Sequence, residues 1–125
     1  MNMYQQHIME HYGRPSNYGE VKDCTHQHTD HNPLCGDEVT IQVRVEGEKI
    51  AAVGFTSIGC AISKASTSML TEHINGKTVA EVKTLQNQDM MELLSIPISP
   101  SRVKCALLGL VAIKKALYGV ENAKD

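Results

Sequence analysis

A chain of 125 residues can bury roughly two-thirds of its unfolded surface, so it reads as one domain, residues 1–125, around one core. Hydrophobic residues make up 42% and charged ones 21%, and a net charge of -2 gives neither nucleic acid nor an anionic membrane much to grip. One Phe, four Tyr and no Trp offer little for base stacking, and the longest apolar run, "ALLGLVAI", is far short of a bilayer span.

The opening "MNMYQQHIMEHY" has neither the basic start nor the apolar stretch of a secretory signal, so a cytoplasmic location is expected. In that reducing compartment the four cysteines point to metal or thiol chemistry before disulfides. Tyr4, Ile8, Met9 and Tyr12 give a modest amphipathic helix, which Gly13 and Pro15 end. The stretch "EVKDCTHQHTDHNP" shows no sustained period and is expected to be a loop, with a short edge strand near Val21. His26, His28 and His31 then read as solvated loop residues, and His7, His11 and His73 as ordinary helix-surface residues.

From Val39 the pattern has period two: Val39, Ile41, Val43 and Val45 share one face, and Thr40, Gln42 and Arg44 the other. "EGEK" supplies a turn, and a second strand follows with Ala51, Val53 and Phe55 inward, giving a hairpin with one wet face. Its outer ends bring Gly59 and Cys60 near Cys35.

The period then becomes helical. Ile62, Ala65, Ser66, Met69, Leu70, His73 and Ile74 form a stripe, with Gly76 placed to end the helix. Thr78 and Glu81 suggest a capping box opening a short helix at 79–83, and a further short helix is expected at 87–94 with Met90, Met91 and Leu94 inward. Ser99 as N-cap and Pro100 at the first helical position open a last helix with Val103, Ala106, Leu107, Leu110, Ile113 and Leu117 on its apolar face. The tail "VENAKD" is expected to fray.

Three cysteines therefore stand at element junctions: Cys35 before one strand, Cys60 after the next and Cys105 early in the last helix. Zinc and the iron of iron-sulfur clusters both take tetrahedral, thiolate-rich sites, and Asp37, separated from Cys35 only by Gly36, is the candidate for a fourth ligand. An oxygen donor among thiolates would hold such cargo less permanently. The same cysteines also fit small buried hydrophobes, since their spacing is no diagnostic ligand motif. Cys24 has no evident slot and reads as non-essential.

The segments "NPLCGD", "GCAISKASTSM" and "SRVKCALLGLVAI", preceded by "YQQHIMEHYGRPSNYG", resemble in order the iron-sulfur cluster assembly scaffold family of the IscU, SufU and NifU N-terminal type. The resemblance implies a SufE/NifU-like α+β domain: a small antiparallel sheet of about three strands, helices packed on it, and a metal site at one exposed end. It implies that Cys35, Asp37, Cys60 and Cys105 hold a transient [2Fe-2S] cluster, or zinc in the apo or resting form. Sulfur would come as persulfide from a pyridoxal-phosphate cysteine desulfurase, and the cluster would pass to apo iron-sulfur acceptor proteins, with frataxin-like or ferredoxin partners assisting. The implied protein is mainly a non-enzymatic scaffold.

Many IscU scaffolds carry histidine before the third cysteine, where this chain has Lys104, a residue suited to balancing thiolate charge. Of the LPPVK segment read by a dedicated Hsp70 chaperone only Pro100 is matched intact, which argues against that partner. SufU proteins carry an insertion between the second and third cysteines that is missing here. By resemblance the persulfide acceptor is Cys35 in the SufU case, a zinc-dependent sulfurtransferase, and Cys105 in the IscU case. A static structural zinc domain that docks partners is the third reading.

Overall fold

The computed structural model describes residues 9, 10, 13, 15–32, 36–59, 61–94, 98 and 100–117. Three strands, β1 (His26–Asn32), β2 (Asp37–Glu46) and β3 (Lys49–Ile58), form an antiparallel sheet in the order β1-β2-β3. Among the described residues four helices follow: α1 (Ala61–Ile74), α2 (Val79–Lys83), α3 (Asn87–Leu94) and α4 (Val103–Ala116), the last entered through a 3-10 turn at Pro100–Arg102. The architecture is the α+β class expected, a three-stranded antiparallel sheet with helices packed on it.

The apolar alternation of β2 builds the core as expected, with Val39, Ile41 and Val43 fully buried against α4 and α1. Strand β3 departs from its expected pattern. Its ladder pairs Arg44 with Ala52 but Val45 with Ile50, so Ala51 is an extra residue in a bulge. The bulge shifts the alternation, leaving Ala51 exposed and turning Ile50 inward beside Val53 and Phe55.

The histidine-rich stretch is a strand rather than a loop. It alternates half-buried His26, His28 and Asp30 with exposed Gln27, Thr29 and His31, so the period is two but both faces are polar. Its inner face packs on α4, where Lys115 Nζ lies 3.2 Å from Asp30 Oδ2. On the outer side, Thr29 Oγ1 and Thr40 Oγ1 are 2.7 Å apart across the ladder and His31 Nδ1 lies 3.1 Å from Glu38 Oε1. Near the expected edge strand the chain makes only a single bridge, Tyr18 to Phe55: Gly19 N–H donates to Phe55 O at 2.7 Å and Phe55 N–H to Asn17 O at 3.0 Å. From there Val21 N–H donates to Gln42 Oε1 at 2.8 Å, so the wet face of the hairpin is partly covered.

Helix α1 is buried more widely than its apolar stripe. Ser63, Ser66, Thr67, Ser68 and Thr71 are all buried, whereas His73 is exposed. Their hydroxyls turn back onto the helix: Thr67 Oγ1 donates to Ser63 O and Thr71 Oγ1 to Ser68 O, both at 2.7 Å. This satisfaction lets a polar helix face pack inside a core. Small size matters as well. A Cβ on Gly109 of α4 would lie 2.4 Å from Thr67 Oγ1, so α1 and α4 meet at a spacing that only glycine permits.

Gly76 follows α1 as expected of a residue that ends it, at φ +86°, and its N–H donates to Ile50 O of β3 at 3.0 Å. Helices α2 and α3 fall where expected, with the Thr78–Glu81 capping box formed and Met90 and Leu94 buried. Arg102 occupies the N-cap of α4 with no side-chain cap bond, and Ser99 lies outside the described residues. Of the opening helix only Met9 and Glu10 are described, with Met9 55% exposed. The expected frayed tail also lies outside.

Candidate functional site

Antiparallel pairing brings the chain's junctions to one end of the sheet. Asn32, the last residue of β1, faces Asp37, the first of β2, and Gly36 N–H donates to Asn32 O at 2.8 Å to close the connection. Glu38 faces Ile58, so the exit of β3 arrives beside Asp37. There Gly59, at φ +113°, carries no side chain, and a Cβ on it would lie 2.4 Å from Asp37 Oδ1. The carboxylate occupies room that glycine alone leaves.

Asp37 is 1% exposed and Cys105 fully buried. Cys105 is the third residue of α4, within its first turn, where the helix dipole favours a thiolate. Asn32 connects the two: it is the cross-strand neighbour of Asp37, and its Nδ2 donates to Cys105 Sγ at 3.8 Å. Sequence reasoning missed Asn32, because its contact joins residues 73 apart in the chain and no local pattern announces it.

Cys35 and Cys60 lie outside the described residues; their chain neighbours Gly36, Gly59 and Ala61 are at this same end. Among the described residues no three His, Cys, Asp or Glu side chains gather as a metal site. Lys104 is exposed at the rim of an open cavity of about 330 Å³, whose lining includes His31, Asn32, Asn87, Leu108 and Val111. Among the described residues His31 borders the site's end, while Cys24 is half-buried ahead of β1.

The profile of the NifU-like N terminal domain family matches residues 3–124. The chain belongs to this family. As a NifU-like N-terminal domain it is 32% identical over 124 residues to iron-sulfur cluster assembly scaffold protein IscU 1 of Archaeoglobus fulgidus, an alignment covering 98% of this chain and 80% of that one. It is 31% identical over 137 residues to the zinc-dependent sulfurtransferase SufU of Bacillus subtilis, covering 96% and 92%. That span exceeds the length of this chain, so the sulfurtransferase has residues there that this NifU-like domain lacks. A crystal structure of the SUF-system scaffold protein from Fervidobacterium Islandicum superposes with a TM-score of 0.76 at 28% identity, covering 94% of this chain and 96% of the other.

The donor chemistry of the end suits a thiophilic ion. A buried sulfur and a buried carboxylate stand at one junction, held by Asn32 and by the space at Gly59. A carboxylate this deeply buried requires a cation or hydrogen-bond donors around it, and zinc and iron accept both donor types.

Proposed function

We propose that this protein is a scaffold on which a labile [2Fe-2S] cluster is built and from which it passes to apo acceptor proteins. The carrying observation is the convergence of Asp37, Gly59 and Cys105 at one end of the sheet. In this reading Cys35, Asp37, Cys60 and Cys105 hold the nascent cluster, and Cys105 is the leading acceptor of sulfur from a pyridoxal-phosphate cysteine desulfurase. Its thiolate attacks the outer sulfur of the desulfurase persulfide; a sulfur–sulfur bond forms on Cys105 and the desulfurase leaves as its own thiolate. Sulfane sulfur becomes sulfide by reduction, with ferrous ions supplying half of the electrons as they become ferric and a ferredoxin-class reductant the rest. A frataxin-like partner would assist, and the cytoplasm is the compartment.

The identity to the Bacillus sulfurtransferase favours a second reading in which Cys35 accepts the persulfide and the same four residues hold zinc in the resting form. Zinc would keep the thiolates deprotonated; the chain's part is to release one of them for attack. The residues that the sulfurtransferase has and this chain lacks weigh toward the scaffold.

The test is anaerobic loading with iron and desulfurase-derived sulfur, followed by absorption and circular dichroism during addition of an apo-ferredoxin. Near-stoichiometric appearance of the cluster on the ferredoxin is expected. Persulfide accumulating on Cys35 with no cluster formed would establish the sulfurtransferase instead. Metal that neither exchanges nor leads to persulfide on any cysteine would leave a static docking domain.

A further inference from the structure

We propose that Asn32 is a positioning residue for Cys105: its side-chain amide donates to the sulfur and fixes how strongly, and in which direction, that sulfur gives electron density to bound metal. The inference rests on the reading of Cys105 as a ligand and adds a residue outside the expected ligand set.

The geometry restrains the donor from several directions. Asn32 is 5% exposed, its backbone carbonyl accepts from Gly36 N–H at 2.8 Å, and it sits opposite Asp37 in the ladder. Its Nδ2 reaches Cys105 Sγ at 3.8 Å, so one side chain joins the connection that bears Cys35 to the helix that bears Cys105. A thiolate accepts hydrogen bonds and donates none, so the amide presents its NH2 to it. A neutral thiol is a weak acceptor, whereas a charged sulfur makes the bond shorter and roughly twice as strong. The contact therefore gains most in the state that binds metal. By drawing charge from the sulfur, the amide reduces its donation to the ion and favours release.

The experiment loads the full chain anaerobically with cobalt(II) and compares the wild type with Asn32→Leu, which keeps the branched side-chain shape without the amide, and Asn32→Ala, which tests the same loss with no added bulk. Both should bind cobalt with unchanged stoichiometry and shift the sulfur-to-cobalt charge-transfer band to lower energy. Zinc affinity measured by chelator competition should rise by about tenfold, the lower end of the range over which ligand-orienting residues alter metal affinity. A purely structural role for Asn32 would lower stability while leaving the band in place, and a cobalt-loaded variant with the wild-type band overturns the proposal. Wild-type protein that takes up no cobalt overturns the metal-site reading itself, and this inference with it.

Discussion

The two ends of the sheet are built on opposite principles. At the far end the chain satisfies itself with backbone bonds: Ile50 N–H donates to Lys77 O at 2.9 Å, Gly76 N–H to Ile50 O at 3.0 Å and Val79 N–H to Glu48 O at 2.7 Å. Those bonds staple the β2–β3 turn to the start of α2, with Ile50 fully buried between them. At the near end the buried groups are side chains with chemistry to offer: Asn32, Asp37 and Cys105. Backbone bonds contribute stability and do not respond to ligands, whereas a carboxylate and a sulfur at one junction are groups that a metal ion can use. The contrast predicts that damage to the far end will be felt in folding, and damage to the near end in cargo.

The largest effect should come from Ile50→Ala. Removing a fully buried side chain from the stapled end should destabilise the protein by about 2–5 kcal/mol in urea denaturation, through lost burial and the cavity left behind. The fraction still folded should load metal with unchanged stoichiometry. Lost metal binding in folded Ile50→Ala protein would erase the division between the ends.

Asp37→Ala sharpens the same division from the other side. Taking away the oxygen donor should leave the urea midpoint near that of the wild type and slow cluster release to an apo acceptor, with greater resistance to oxygen. Transfer kinetics followed anaerobically check this, and release as fast as in the wild type would remove Asp37 from the site.

The contrast also explains what could be read from the residues alone. β2 was legible because Val39, Ile41 and Val43 alternate with polar residues, and α2 because Thr78 and Glu81 carry a box signature within four residues. β1 was not legible: its inward face is the half-buried His26, His28 and Asp30, so alternation exists without apolar contrast, and the cover comes from α4 far along the chain. Ala51 was misplaced because a bulge inserts one residue with no composition of its own. For the site, hairpin logic brings Gly59, at the exit of β3, back to the start of β2, where the structure has Asp37, and Cys105 stands early in the last helix as expected. Asn32 stayed hidden, since a side-chain bond across the fold depends on packing that no local period encodes.

The smallest effect belongs to the far end and concerns pH. In the capping box Glu81 N–H donates to Thr78 Oγ1, and Thr78 N–H donates to Glu81 Oε1, both at 3.1 Å. The bond from the Thr78 backbone, then that from its hydroxyl, hold the Glu81 carboxyl below its ordinary 4.5, with smaller help from Lys77 and Lys49. A carboxyl lowered in the folded state adds stability that is complete above 4.5 and lost as pH falls through the lowered folded value. Thr78→Ala should cost about 1 kcal/mol near neutral pH, the usual loss for an N-cap hydroxyl. Glu81→Gln keeps an acceptor for the box but cannot titrate, so its stability should fall less steeply than that of the wild type on acidification below 4.5. Urea midpoints taken at intervals across that range decide the matter: parallel curves for the two proteins would mean that the box is held by geometry alone and that its charge contributes nothing. The site residues stand apart from this titration, so metal stoichiometry at neutral pH should be the same in both variants, which makes the pair the gentlest test of the separation between a stapled end and a binding end.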